Sequence, residues 1–316
     1  MNDPSLKLPS FAKVNLHLRI LGRRSDGYHE IETLLQTVSL CDELSFASRS
    51  DSLIVLDCDS AEIPTDESNL IIRAAHALKE LAPRVPGVQI KLTKRIPPKG
   101  GLGGGSSNAA MTLLGLKHLW RLDVNPEELI TIAGHLGSDV PFFFYGGLAR
   151  GVGTGRDVVP LRDVSRKWLI IITPNASVST HSAYEALKAP SLTTLGSTSI
   201  LSSSFAAPFS SDSNQWALQN DFERVIFEIE PEIERAKLAL LETGATGGLL
   251  TGSGSSVFGI FLSEDARERA LANLKCEAGW RTFACNTISR DEYYQSLSFS
   301  GFPLFSSLNF QTDTGA

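Results

Sequence analysis

The feature that most constrains this chain is a run of glycines between two segments of different periodicity. Residues 97–107 read Pro-Pro-Lys-Gly-Gly-Leu-Gly-Gly-Gly-Ser-Ser. Before them, Val88 to Lys94 alternates as a strand does, and after them Ser106 to Trp120 has the apolar spacing of a helix. A flexible linker would not be framed by regular elements in this way. The sequence therefore predicts a strand–loop–helix unit whose loop binds a ligand.

Glycines in such a loop favour an anion site, because a backbone without Cβ atoms can turn several N–H groups toward one point. The start of the following helix adds unpaired N–H groups and the positive end of its dipole, which suits a di- or triphosphate. The loop is not a Walker A sequence, since Gly105 is followed by Ser106 rather than by a lysine. The predicted ATP-binding residues are Pro97, Pro98, Lys99, Gly100, Gly101, Leu102, Gly103, Gly104, Gly105, Ser106 and Ser107.

A strand near the N-terminus is the second candidate element of a site. From Phe11 to Leu21 the residues alternate, with apolar side chains at even positions and polar ones at odd positions between 13 and 20. A strand that buries one face and presents Lys13 beside Asn15 on the other can form the wall of a site. Further along, Asp26-Gly27 has the pattern of a turn that would present Tyr28 and His29 at a loop tip.

Composition excludes several classes of protein. The net charge of −6 argues against a nucleic-acid binder, which normally carries a basic patch. The four cysteines lie far apart and without zinc-ligand spacing, so neither a zinc site nor a disulfide framework is expected. The N-terminus has no apolar signal segment, and no apolar run is long enough to span a bilayer. We therefore predict a cytoplasmic protein with no membrane partner.

The order of elements predicts an α+β fold, because strands and helices are mixed without a regular βαβ rhythm. We divide the chain into residues 1–165, residues 166–290 and a tail, residues 291–316, to which no structure is assigned. The second unit is expected to begin with the apolar strand at Trp168 and to contain a helix over Gln215–Ile229. Residues 190–213 are rich in serine and poor in large apolar groups, which predicts a mobile insertion.

Three blocks of the sequence resemble the GHMP kinases, the family of galactokinase, homoserine kinase and mevalonate kinase. Residues 97–110 resemble the phosphate loop of the family, and residues 250–259 resemble its C-terminal glycine motif. Residues 12–30 are similar to the N-terminal motif of those members that act on a cytidine-diphosphate-linked methylerythritol. The similarity runs from about Pro9 to Ser289, and Gly-Arg-Arg-Ser-Asp-Gly-Tyr-His is its most specific part.

The resemblance implies a two-domain α+β fold with ATP, Mg²⁺ and the small-molecule substrate in the cleft between the domains. It implies transfer of the γ-phosphate to the 2-hydroxyl of the methylerythritol, a step of non-mevalonate isoprenoid precursor synthesis. Lys13 and Asp139 fall on the catalytic positions of the family, and no residue is assigned to a metal. The implied substrate-binding residues are Asn15, Tyr28, His29, Thr180 and Tyr184, with Tyr28 and Tyr184 expected to enclose the cytosine. One departure is Lys99, where the family usually carries glycine or alanine.

Several alternatives stay open at this point. Asp139 suits the acceptance of a hydroxyl proton, but an aspartate in a turn before proline can also be purely structural. The substrate could instead be homoserine, mevalonate or a sugar, as for other members of the family. A catalytically silent nucleotide-binding protein on the same fold is a further alternative, against which the presence of both Lys13 and Asp139 argues. A monomer or a weak homodimer is expected.

Overall fold

Two long strands form the centre of the larger sheet in the structure, a computed structural model that describes residues 6–190 and 218–298. Strand β1 (Leu6–Arg23) runs antiparallel to β2 (His29–Ser48), and β1 extends beyond the strand predicted over Phe11–Leu21. The turn between them is the predicted one. Gly27 has a φ of +86°, and the carboxylate of Asp26 accepts the Tyr28 N–H at 3.1 Å.

Eleven strands in the described residues form two sheets. The order in the larger sheet is β3-β4-β2-β1-β8, with β5 paired to β2 and β6 paired to β5, and the smaller sheet has the order β11-β7-β10-β9. Most neighbours are antiparallel, in keeping with the predicted α+β class. The remaining strands are β3 (Ile54–Cys58), β4 (Val88–Thr93), β5 (Leu148–Val152), β6 (Asp157–Pro160), β7 (Trp168–Thr173), β8 (Gln219–Asn220), β9 (Gly247–Leu250), β10 (Val257–Phe261) and β11 (Arg281–Asn286).

The helices cover the outer faces of these sheets, and the sequence explains where several of them begin. Asn69 and Asn125 cap α1 and α3 through their side chains, as expected for asparagine before a helical repeat. The helices are α1 (Leu70–Leu81), α2 (Gly104–Leu119), α3 (Pro126–Leu136), α4 (Phe142–Tyr145), α5 (Thr180–Leu187), α6 (Glu223–Ile229), α7 (Pro231–Glu242), α8 (Glu264–Asn273) and α9 (Arg290–Ser296). None of these described helices is long and apolar enough to cross a membrane.

Apolar side chains are buried in three clusters. One lies between the larger sheet and helices α1 to α4, and another between the smaller sheet and helices α5 to α8. The third joins the two halves of the molecule, because Val14 and Leu16 of β1 pack with Ile171 of β7 and Phe258 of β10. The two halves therefore share a continuous interior instead of meeting only at a polar cleft.

Two segments differ from the expectation or add to it. The helix predicted from Gln215 begins only at Glu223, because Gln219–Asn220 forms a short parallel strand beside β1. Within the segment left without a structure, residues 290–296 form α9, which packs on the first cluster through the fully buried Tyr293. The predicted mobile insertion lies, from residue 191 onward, outside the described residues, as does the tail beyond residue 298.

Candidate active site

A cavity of about 940 Å³ lies where the larger sheet, the glycine loop and helix α5 come together. It brings together most of the predicted site. The predicted residues that line it are Lys13, Asn15, Tyr28, His29, Gly101, Gly103, Ser106, Asp139, Thr180 and Tyr184. They come from four separate parts of the chain, so the cavity exists only in the folded molecule.

The glycine loop presents its backbone to this cavity. Gly101 and Gly103 have φ values of +73° and +71°, a region that favours glycine. A Cβ on Gly101 would lie 2.1 Å from the carbonyl oxygen of Thr251, so only glycine fits there. Helix α2 begins at Gly104, two residues before the predicted start, and no side chain caps its first turn. The first N–H groups of α2 therefore suit an anion from the ligand.

The other predicted loop residues do not line the cavity, and their contact with ATP stays a prediction. Leu102 is buried in the interior between the two sheets, and its carbonyl accepts the backbone N–H of Lys13 at 2.9 Å. Ser107 is fully buried and lies 2.8 Å from the Ser10 hydroxyl. Lys99 is exposed and has a φ of +56°. Glycine adopts such a φ without the strain that a residue with a Cβ atom incurs. The residues of this group are Pro97, Pro98, Lys99, Gly100, Leu102, Gly104, Gly105 and Ser107.

Lys13 and Asp139 form an ion pair beside the loop. Lys13 Nζ lies 3.2 Å from Asp139 Oδ2, and the lysine side chain is 3% exposed whereas the aspartate is 37% exposed. The turn between α3 and α4 places Asp139, because Gly137 ends α3 and Pro141 lies two residues after the aspartate. A carboxylate that faces the cavity and a cation buried behind it are thus held at salt-bridge distance.

A polar network behind the ion pair fixes the lysine. Lys13 Nζ donates to Asn15 Oδ1 at 2.6 Å, and Asn15 Nδ2 donates to the hydroxyl of Thr33 at 2.8 Å. The hydroxyl of Thr251 lies 3.2 Å from the Asn15 N–H and 3.2 Å from the carbonyl of Gly101. The strand therefore presents both residues as predicted, but Lys13 and Asn15 are buried against the other half of the molecule rather than exposed. Thr33 carries no sequence signal of its own, whereas Thr251 belongs to the block 250–259 that resembles the C-terminal glycine motif.

Aromatic side chains form another part of the cavity, which we call the aromatic wall (Tyr28, His29 and Tyr184). The rings of His29 and Tyr184 are stacked, with centroids 4.4 Å apart and planes at 19°. The rings of Tyr184 and Phe222 meet edge to face, with centroids 4.9 Å apart, whereas Tyr28 is 57% exposed. One face of Tyr184 is thus covered by His29, and a base that stacks on this face would require His29 to move aside.

Burial shifts the pKa values of two groups in the aromatic wall, Tyr184 and His29, away from their charged forms. Burial raises the pKa of Tyr184 to about 12, and the nearby charge of Asp139 adds to the effect. Burial lowers the pKa of His29 below its ordinary value, and the charge of Arg23 acts in the same direction. Neutral His29 can both donate and accept a hydrogen bond through its ring nitrogens.

Residues that the sequence reasoning missed complete the cavity. Arg23 and Lys188 add positive charge near the aromatic wall, and Ser253 lies 3.0 Å from the hydroxyl of Thr180. Arg23 belongs to the Gly-Arg-Arg block, which was a usable signal, whereas nothing in the sequence marks Lys188. No group of three or more potential metal ligands occurs within the described ranges 6–190 and 218–298.

Comparison with known proteins identifies this fold, with its glycine loop beside a Lys13–Asp139 pair, as that of a kinase family. The family "GHMP kinases N terminal domain" matches residues 69–147, and "GHMP kinases C terminal" matches residues 204–279. A 4-diphosphocytidyl-2-C-methyl-D-erythritol kinase from Syntrophus aciditrophicus (strain SB) is 42% identical over 90% of this chain and 99% of its own length. The chain belongs to the GHMP kinase family.

Solved structures agree at two levels. A crystal structure of 4-(cytidine 5'-diphospho)-2C-methyl-D-erythritol kinase is 33% identical, with a TM-score of 0.73 over 89% of this chain and 98% of its own. The homoserine kinase from Cytophaga hutchinsonii has a TM-score of 0.64 at 19% identity, covering 92% of this chain and 96% of its own, which supports the fold alone. The predicted family and fold class are confirmed.

Proposed function

We propose that the chain transfers the γ-phosphate of ATP to the 2-hydroxyl of 4-diphosphocytidyl-2-C-methyl-D-erythritol. The observation that carries the proposal is the Lys13–Asp139 pair, which lies in one cavity with the glycine loop and the aromatic wall. Relatives with the names given above are similar over nearly their whole length. Homoserine, mevalonate and sugars are less suitable acceptors, because none of them has a base for the aromatic wall to bind.

Phosphoryl transfer requires positioning and charge stabilisation more than covalent chemistry from the protein. The carboxylate of Asp139 faces the cavity and can accept or orient the proton of the attacking hydroxyl. Lys13 places a positive charge 3.2 Å from that carboxylate. An ammonium has three N–H donors, and among the described residues Lys13 has two side-chain partners, Asn15 and Asp139. The third donor is available to an oxygen of the transferring phosphoryl group.

The glycine loop would hold the phosphates through its backbone, and the aromatic wall would hold the cytidine. Mg²⁺ usually binds through one or two carboxylates together with substrate phosphates, so the small number of acidic groups in the cavity fits that ion. Asp139 and the hydroxyl of Ser106 both line the cavity and are oxygen groups that would hold the ion. When bound, the ion would neutralise charge that develops on the phosphates.

Mass spectrometry of the reaction products tests the proposal directly. The purified chain is incubated with ATP, Mg²⁺ and either the cytidylyl-methylerythritol, homoserine, mevalonate or galactose. We expect a gain of one phosphoryl group on the first acceptor only, and loss of that product in Asp139→Asn. Preferential phosphorylation of another acceptor would replace the proposed substrate, and an absence of transfer to all four would favour the silent nucleotide-binding alternative.

A further inference from the structure

Beneath the glycine loop lies a buried carboxylate that the proposed chemistry does not use. Asp42 of β2 is completely buried and sits opposite Ser10 of β1 in the strand register. A buried aspartate is costly unless its oxygens are fully paired, so its partners reveal what it holds in place.

The partners of Asp42 come from both ends of the loop. On the side where the chain enters, Asp42 Oδ1 accepts the backbone N–H groups of Arg95 at 2.7 Å and Ile96 at 2.8 Å. On the side where it leaves, Asp42 Oδ2 accepts from Asn108 Nδ2 in helix α2 at 3.1 Å. A single carboxylate thus ties together the two residues before Pro97 and the residue just after Ser107.

Two further contacts hold this arrangement. Lys94 Nζ donates to Asp42 Oδ2 at 2.6 Å, in an ion pair whose side chains are 7% and 0% exposed. The hydroxyl of Ser10 lies 2.6 Å from Asn108 Oδ1 and 2.8 Å from the hydroxyl of Ser107. Burial lowers the pKa of Lys94 while Asp42 opposes that change, so the aspartate helps to keep the lysine charged.

The geometry points to Asp42 as the positioning residue of the phosphate loop, which holds the loop in the shape that binds the phosphates of ATP. Glycine-rich backbone loses much conformational freedom when it is fixed, so a loop of this composition needs an external restraint. Asp42 supplies that restraint from outside the cavity, which it does not line. The inference rests on the proposed function only in requiring that ATP binds at this loop.

The test is the affinity for the non-hydrolysable analogue AMP-PNP with Mg²⁺, measured by calorimetry without any acceptor. Asp42→Asn removes the ion pair and leaves at least one buried donor without a partner, so we expect affinity to fall about 10- to 100-fold. Hydrogen exchange should become faster at residues 99–106 and stay unchanged in β9 and β10. Glu43→Gln is the matched control, because the neighbouring Glu43 pairs only with exposed Lys7 in the described structure and should leave affinity unchanged.

The outcomes separate this inference from the proposed function. If the wild-type chain does not bind AMP-PNP, the proposed function fails. If the wild type binds and a folded Asp42→Asn variant binds equally well, Asp42 does not position the loop. If Asp42→Asn does not fold, Asn108→Ala removes one contact of the same network and should weaken AMP-PNP about 3- to 10-fold. Failure of both variants to fold would overturn the inference, because the network would then hold the fold rather than the loop.

Discussion

The phosphate loop and the aromatic wall face one cavity, but the loop presents backbone groups to it and the wall presents side chains. The loop presents backbone at Gly101 and Gly103 and is supported by the buried Asp42 network. The aromatic wall consists of side chains on a hairpin turn and a helix of eight residues, and Tyr28 is 57% exposed. Backbone N–H groups recognise a phosphate whatever the rest of the ligand is, whereas side chains recognise one acceptor. A fold shared with a homoserine kinase therefore does not by itself determine the acceptor, because the side chains that would recognise it can differ.

The largest effect is expected where the two regions meet, at Asp139. Asp139→Asn should lower kcat by about 10²–10⁴ while AMP-PNP affinity stays within a factor of a few, since the amide cannot take the hydroxyl proton. Steady-state kinetics and calorimetry measure the two quantities. Near-normal turnover would show that Asp139 is a structural turn residue and that the cavity has no acid–base group there.

The phosphate loop should be sensitive to the addition of a single methyl group. Gly101→Ala places a Cβ 2.1 Å from the Thr251 carbonyl at a φ of +73°, so the backbone must shift. The short contact and the positive φ each cost about 1–3 kcal/mol of strain, which should weaken ATP binding by roughly 10²-fold. Gly134→Ala in helix α3, outside the loop, is the matched control, because its Cβ would meet only Arg156 at 3.9 Å and its φ is not positive. Equal melting temperatures and equal ATP affinities in the two variants would contradict a backbone-shaped site.

Changes in the aromatic wall should alter KM for the acceptor and leave the binding of ATP largely unchanged. Base–aromatic stacking in single-strand binders is worth about 1–3 kcal/mol, so Tyr28→Ala should raise KM for the cytidine-linked acceptor roughly 5- to 150-fold. KM for ATP should change little, and Tyr28→Phe should be mild because the ring is kept. A rise confined to the ATP KM would move Tyr28 to the nucleotide side and reopen the choice of acceptor.

The smallest effect is expected at Lys99 on the rim of the loop. A lysine at a φ of +56° is strained relative to glycine, so Lys99→Gly should stabilise the protein by at most about 1 kcal/mol. A melting temperature higher by roughly 1–3 °C would be the signature. Lys117→Gly, in an α-helix without this strain, is the contrasting variant and should destabilise. A lower melting temperature for Lys99→Gly would mean that the Lys99 side chain makes a stabilising contact.

Local sequence patterns, such as helix caps and periodicity, were sufficient to predict the elements in which they occur. Asn125-Pro126 predicts the start of α3, and the framed glycines predict the strand–loop–helix unit, because capping and periodicity act over a few residues. The resemblance supplied the pairing of Lys13 with Asp139, which are too far apart in sequence for any local rule.

What the sequence could not supply was the set of contacts that form only in the folded molecule. Asn15 meets Thr251 across 236 positions, and Asp42 meets Asn108 across 66. The stacking of His29 on Tyr184 likewise depends on how the turn between β1 and β2 lies against α5. The predicted helix from Gln215 was wrong at its start because pairing of residues 219–220 with β1 outweighs helical periodicity.

Helix α9 has a consequence for how the chain is made. Tyr293 is completely buried among the first half's apolar residues, and its hydroxyl donates to the carbonyl of Phe143 at 2.5 Å. Domains commonly fold in order as they leave the ribosome. Here Phe143 gains this aromatic partner only after 150 further residues have been translated. A nascent N-terminal half would therefore emerge with an unfilled apolar site, and its full stability would be reached only when α9 packs into it.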